Sequence, residues 1–249
     1  MKRGAFLWTL VCLACCNAQT EDELVETYRA HMLFRKSVSA NLNAALTAAS
    51  VVAEQTFVDE TKRVNIFAYQ GNIYDVQDEV SFYAQAARLP GVYNIGEIGF
   101  NAGHSSITFL WQNQKIHLTS FDLGEMTWTP ASVKLVARMY PGRFTYVKGL
   151  STTVVPQYLA ENSSRPLFDL FAIDGGHNGD VPYTDMRNGR EVTKRGGFVL
   201  IDDWTDTNID VKNAWARAKR EGFIKEILCA DPKQVVFGAQ KAYCVGLYL

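Results

Sequence analysis

Between residues 95 and 105 the chain reads Ile-Gly-Glu97-Ile-Gly99-Phe-Asn-Ala-Gly103-His-Ser105. This stretch fits a buried strand that ends in a glycine loop and opens a helix. Gly99 and Gly103 can take positive φ and let a ligand approach the backbone closely. His104 and Ser105 begin the helix, and its free N–H groups favour a negatively charged or carboxylate-bearing ligand. The spacing is Glu-x-Gly-x-x-x-Gly, not the Gly-x-Gly-x-x-Gly of dinucleotide sites. An acid two residues before the first glycine can hold the ammonium of an amino-acid ligand, which a dinucleotide site does not need. A strand-to-helix turn without any ligand is the plain structural alternative.

From Val92 onward strand and helix patterns alternate. Strands are expected at Val92–Gly99, Ile116–Asp122, Phe144–Gly149, Phe168–Asp174, Gly197–Asp203, Phe223–Leu228 and Ala242–Leu249. Helices fit between them at 104–112, 130–140, 152–161, 181–194 and 208–221. Leu167–Ile173 and Phe198–Ile201 are near-continuous apolar runs, as parallel strands covered on both faces require. Such alternation implies an α/β fold, a Rossmann-like doubly wound seven-stranded sheet. Only a short link separates the last two strands, which favours an antiparallel terminal hairpin over a crossover. Asp75–Leu89 reads as one more helix, ended by Pro90-Gly91. Residues 21–57 are helical in period and alanine-rich, and form two helices or one bent helix. They are expected to be an N-terminal helical cover (19–67) or a homodimerisation element, with the main domain at 68–249.

In open α/β sheets ligands bind beyond the carboxyl ends of the strands. Here those ends are Glu97-Ile-Gly99, Asp122, Gly149-Leu-Ser151, Asp174-Gly-Gly-His177 and Asp202-Asp203-Trp204. An acid at Asp122, 23 residues beyond Gly99, can accept hydrogen bonds from both hydroxyls of a ribose. Ser151 and Asp122 could also serve only as helix caps, and His177 as a satisfied loop histidine. Asp174, Asp202 and Asp203 end neighbouring strands, and three converging carboxylates repel one another unless a cation sits among them. All-oxygen ligands suit a hard ion such as Mg²⁺, Ca²⁺ or Mn²⁺. The bland alternative turns Asp203 away and leaves only two acids together.

The N-terminus is of another kind. Lys2 and Arg3 precede an apolar run from Ala5 to Cys16, then Asn17-Ala18, the pattern of a secretory signal over residues 1–18. The run is too short to span a bilayer, so the expectation is a secreted or secretory-lumen protein with no stable membrane span after cleavage. Cys12, Cys15 and Cys16 leave with the signal. Cys229 and Cys244 then form a disulfide in the oxidising compartment, or else two buried thiols. Asn162-Ser163-Ser164 is a glycosylation sequon. A formal net charge of −1 without any basic block argues against nucleic acid as a partner.

The glycine stretch resembles motif I of the class I S-adenosylmethionine-dependent methyltransferases. Phe168-Asp-Leu-Phe-Ala-Ile-Asp174-Gly-Gly-His177, followed by Gly196-Gly-Phe-Val-Leu-Ile-Asp202-Asp203, is similar to the metal-dependent small-molecule O-methyltransferases, in particular their Asp-Gly-x-His branch. Gln70-Gly-Asn-Ile73 resembles the segment that closes over the methionine moiety. The resemblance covers residues 68–249. It implies that Glu97, Gly99, Gly103, Ser105, Asp122 and Ser151 bind S-adenosylmethionine, Ser151 near the adenine. It implies Mg²⁺ or a similar ion on Asp174, Asp202 and Asp203, and a small-molecule hydroxyl as methyl acceptor. The catechol type has a lysine base after the fourth-strand acid; this chain has Gly175-Gly176-His177, so either His177 is the base or the metal alone acidifies the substrate hydroxyl. Trp128 and Trp204 lie in loops that could wall a substrate pocket. The export signal favours a rival reading, a secreted non-catalytic binding protein that keeps the fold. A nicotinamide dehydrogenase is disfavoured by the glycine spacing.

Overall fold

The computed structural model describes residues 20–33, 39–61, 73, 76–162, 167–230, 235–236, 239–240 and 242–249. The expected signal, most of the Gln70–Ile73 segment, the boundary at 67/68 and two residues of the sequon lie outside them. Among the described residues two helices come first, α1 (Glu21–Leu33) and α2 (Ala40–Thr61), then α3 (Gln77–Ala86). The alternation follows: β1 (Asn94–Ile98), α4 (His104–Gln112), β2 (His117–Asp122), α5 (Thr129–Met139), β3 (Phe144–Lys148), α6 (Ser151–Glu161), β4 (Phe168–Ile173), α7 (Val181–Val192), β5 (Thr193–Ile201), α8 (Ile209–Arg220) and β6 (Ile224–Cys229). A small ribbon, β7 (Val235–Val236) and β8 (Ala239–Gln240), lies in the link before β9 (Cys244–Tyr248).

The main sheet has seven strands in the order β3-β2-β1-β4-β5-β9-β6. Pairs from β3 to β5 are parallel, and β9 runs antiparallel between β5 and β6. The expected doubly wound sheet and terminal hairpin are both present. Most element ends differ from the sequence pattern by one to three residues, and the start of β5 by four. α7 stops at Val192, and β5 begins at Thr193, ahead of Gly196-Gly197, because Thr193 already pairs with Phe168 before a register shift restores Leu170 opposite Phe198.

The strands of the middle are apolar because helices cover both faces. β4 is buried along its whole length. On one face α1 to α5 pack around Ile95, Leu118, Leu170 and Leu200. On the other, α6, α7 and α8 enclose Phe121, Phe171, Val199 and Trp215. The N-terminal helices lie on this domain as a cover: α1 packs on β6 and α3, and α2 on α4 and α5. Arg29 Nε donates to the Ile227 carbonyl at 2.7 Å, and Lys225 pairs with Asp22 at 2.7 Å. Cys229 and Cys244 face each other across β6 and β9 with Cα atoms 4.0 Å apart, and the disulfide is formed. No helix among the described residues is long and apolar enough to cross a membrane.

Candidate functional site

The carboxyl ends of the central strands are stitched together by backbone hydrogen bonds. Each loop's first amide reaches a carbonyl at the end of a neighbouring strand: Gly99 N–H to Phe121 (2.9 Å), Gly149 N–H to Asp122 (2.8 Å), Asp174 N–H to Ile98 (2.9 Å) and Asp202 N–H to Ile173 (3.0 Å). All five polar strand ends seen in the sequence therefore lie along one edge of the sheet.

At the centre of that edge, Gly99 has φ +94° and Gly103 φ +87°. A Cβ at Gly99 would stand 1.9 Å from the Asp174 carbonyl oxygen. Only glycine permits this approach of the first loop to the fourth. Gly103 caps α4.

Glu97 lies under the loop, 1% exposed. Its Oε2 accepts a hydrogen bond from Ser106 Oγ at 2.5 Å, while the buried Oε1 has no hydrogen-bond partner. Burial pushes its carboxyl up to about 7, against the opposing Ser105, Ser106 and Ser120 hydroxyls. A buried carboxyl with one unpartnered oxygen can accept a further donor such as an ammonium.

Asp122 is committed more fully than a ribose acceptor needs to be. Its carboxylate accepts from the N–H groups of Phe100 (2.8 Å), Asn101 (3.2 Å) and Gly124 (2.6 Å). It clamps the glycine loop onto β2 and keeps about one lone pair for a ligand. Asn101, at φ +48°, accepts from Trp128 Nε1 at 2.9 Å. Trp128 is therefore not a pocket wall: it is 3% exposed and packs with Ala102 and with Ala53 of α2. Ser151 begins α6, buried, and its hydroxyl opposes the burial that raises the Asp185 carboxyl to about 6.

The acidic group at the β4 and β5 ends is arranged differently from the expected trio. Asp174, His177 and Asp203 offer ligand atoms that all lie within 4.8 Å of one another. His177 Nε2 stands 3.0 Å from Asp203 Oδ2 and 3.8 Å from Asp174 Oδ1. Asp174, then Asp203 and Asp202, raise the imidazole above its ordinary range, against the effect of burial. Asp202 is not in this group. It is 2% exposed; its Oδ2 accepts from the Tyr83 hydroxyl at 2.7 Å and its Oδ1 from the Asp203 N–H at 2.6 Å. The reason is local: Asp203 is left-handed, φ +54°, so the two adjacent carboxylates diverge. Trp204 lies half-buried beneath the Lys212 ammonium, 4.6 Å from its ring centre.

Sequence reasoning missed Tyr83, Ser106, Ser120 and Asp185. Ser106 directly follows Ser105 in the first turn of α4, so the serine pair was a usable signal. Tyr83 had none, because it meets Asp202 across 119 positions. Burial and the Asp202, Asp174 and Glu79 carboxylates hold its phenol well above its ordinary range, so it remains a donor.

Residues 97–204 match the model of a family described as a methyltransferase domain. No curated protein matches the chain. Among solved structures it resembles the O-methyltransferase TomG from Streptomyces achromogenes, involved in tomaymycin synthesis and determined with S-adenosylmethionine, at a TM-score of 0.62 and 15% identity over 92% of this chain and 99% of that one. It resembles the Bacillus cereus O-methyltransferase in complex with S-adenosylhomocysteine at a TM-score of 0.60 and 13% identity, over 91% and 97% of the two chains. The S-adenosylhomocysteine-bound methyltransferase PaMTH1 of Podospora anserina matches at 0.59 and 14%, over 94% and 98%. At these identities the likeness is one of fold. Fold and matched segment agree: residues 97–204 match a methyltransferase domain, and the chain has the Rossmann-like methyltransferase fold.

Proposed function

We propose that the protein is an O-methyltransferase that acts on the hydroxyl of a small molecule with the help of a divalent cation. The observation that carries the reading is the Asp174–His177–Asp203 group beside the glycine loop. The donor set fits an ion: two carboxylates of like charge share one small space with an imidazole, and a cation offsets their repulsion. When bound, the ion lowers the pKa of an acceptor hydroxyl. The two carboxylates would supply oxygen ligands suited to Mg²⁺ or Mn²⁺, and the imidazole beside them would stay off the ion as a base.

In this reading Asp174 and Asp203 hold the ion, and Asp202 supports Asp203 in place of acting as a ligand. Glu97 takes the ammonium of S-adenosylmethionine through its free oxygen. Gly99, Gly103 and Ser105 admit the amino-acid end, Asp122 meets the ribose, and Ser151 lies near the adenine. The acceptor oxygen attacks the sulfonium methyl in line. The O–C bond forms as the C–S bond breaks, the hydroxyl proton passes to His177 Nε2, and S-adenosylhomocysteine is left. Positioning of the two reactants supplies much of the rate.

We also propose export. The Lys2–Ala18 segment supports it, and the Cys229–Cys244 disulfide suits an oxidising compartment. Association of two copies through α1 and α2 is part of the same proposal.

The test is transfer of labelled methyl from S-adenosylmethionine to a panel of catechols, phenols and glycosides, with Mg²⁺ and after chelation. Transfer that disappears with chelator and with His177→Ala is expected. Transfer unaffected by chelator would remove the metal from the reading, and methylation confined to amines would remove the hydroxyl.

A further inference from the structure

We propose that Tyr83 is a positioning residue for the Asp174–His177–Asp203 group, acting through Asp202; this rests on the cation-site reading above. Tyr83 comes from α3, which precedes the first strand and lies outside the matched domain. It is 1% exposed, and its ring stacks on Phe109 of α4 with centroids 5.3 Å apart. Its hydroxyl reaches past that stack to Asp202 Oδ2 at 2.7 Å.

The consequence lies one residue further on. Asp203 sits in the left-handed region, φ +54°. Such a conformation persists only where its surroundings over-determine it. Backbone and side-chain contacts hold the turn. Asp202 N–H bonds the Ile173 carbonyl (3.0 Å), Trp204 N–H the Ala242 carbonyl (2.7 Å) and Thr205 N–H the Asp203 carbonyl (2.7 Å). A further one is made by Asp202 Oδ1, which accepts from the Asp203 N–H at 2.6 Å. It alone of these depends on a side chain, and that side chain is fixed at its other oxygen by Tyr83. The turn sets Asp203 Oδ2 3.0 Å from His177 Nε2. Without the phenol oxygen, Asp202 is free to rotate, the Asp203 amide loses its acceptor, and the Asp203 carboxylate swings from His177.

Tyr83→Phe keeps the ring and its stacking and removes only the hydroxyl. The measurements are Mn²⁺ and S-adenosylhomocysteine affinities by calorimetry, with a crystal structure of the variant. The expected result is Mn²⁺ binding weakened about tenfold, S-adenosylhomocysteine binding unchanged, and a His177–Asp203 separation clearly longer than in the parent protein. Asp202→Asn combined with Tyr83→Phe should weaken Mn²⁺ little more than the worse single change, as two residues of one relay require. Parental Mn²⁺ affinity with Asp203 still left-handed in Tyr83→Phe overturns the proposal. A parent protein that takes up no Mn²⁺ removes the cation reading instead. The separation in the variant then decides the positioning role by itself, and an unchanged value ends it.

Discussion

Ser50 Oγ on α2 lies 3.0 Å from Nε2 of His104, the first residue of the helix that follows the glycine loop. The N-terminal cover is thereby tied to the glycine loop. His104 is 2% exposed, and burial lowers its pKa from 6.5 to about 4, against a hydrogen bond to the Leu46 carbonyl. The folded state thus favours the neutral ring. That contribution is fully present above pH 6.5. It is lost as pH falls from 6.5 to 4, where the unfolded chain takes up a proton that the folded chain resists, by roughly 3 kcal/mol in all. His104→Gln keeps hydrogen-bonding capacity and cannot titrate. Urea unfolding at pH 5 and pH 7 should show the acid-side loss attributable to this site disappear in the variant. An unchanged difference between the two pH values would assign the loss elsewhere.

Glu97 acts with the opposite sign. Its pKa is raised to about 7, so both states are neutral below 4.5. As pH rises from 4.5 to 7 the unfolded chain ionises first, and stability falls by roughly 3 kcal/mol. Asp185, raised to about 6, adds to this fall. Between pH 4.5 and 6.5 these carboxyls and His104 oppose each other. The empty protein should therefore show a shallow profile that either Glu97→Gln or His104→Gln steepens.

The same carboxyl links cofactor binding to protons. An ammonium placed at Glu97 Oε1 favours the ionised form, so binding expels a proton where the empty site is still protonated. S-adenosylhomocysteine affinity should rise as pH goes from 6 to 8, with close to one proton released at pH 6. Calorimetry in two buffers of different ionisation enthalpy measures that proton directly. Glu97→Gln should weaken binding by on the order of 1–3 kcal/mol and flatten its pH dependence. Binding without proton release at pH 6 counts against the ammonium contact.

The strands were legible because their chemistry is collective. β4 must be apolar along Phe168–Ile173 to lie between helices on both faces, and no local exception hides that. The polar strand ends were legible for the same reason: a sheet brings them to one edge whatever the side chains do. Which acid turns to which partner was not legible. Asp202 and Asp203 are equivalent as a sequence pair, and the left-handed φ of Asp203 decides that it, not Asp202, meets His177. The contact that holds this arrangement comes from Tyr83, on a helix before the sheet begins. The start of β5 was also hidden, since Gly196-Gly197 reads as a break although the strand passes through it.

Gly99 supplies a prediction about the fold as much as the site. A Cβ there would stand 1.9 Å from backbone oxygen of Asp174, at φ +94°. Backbone on both sides leaves nothing flexible to move. Gly99→Ala should destabilise by more than about 3 kcal/mol or prevent recovery of folded protein. Gly222 has φ +75° with nothing within 4 Å. Gly222→Ala should lose only on the order of 1 kcal/mol, the conformational term alone. Equal effects of the two substitutions in thermal unfolding would show that the close approach between the first and fourth loops is not a constraint.

Asp203 separates conformation from charge. Its backbone is left-handed, which disfavours a side chain with a Cβ by about 1 kcal/mol; aspartate tolerates it better than most residues. Asp203→Ala keeps the Cβ and discards the carboxylate, and should lose on the order of 1 kcal/mol of folding stability. Asp203→Gly discards both. Relief of strain then offsets the larger entropy of the unfolded glycine chain, so stability should stay within about 0.5 kcal/mol of the parent. Both variants lose the oxygen that stands 3.0 Å from His177 Nε2, and both should lose at least about tenfold in Mn²⁺ affinity. Urea denaturation and Mn²⁺ titration on the same three proteins give the two readouts. Equal stability of the alanine and glycine variants would contradict the strain, while retained Mn²⁺ affinity in either would take Asp203 out of the cation site.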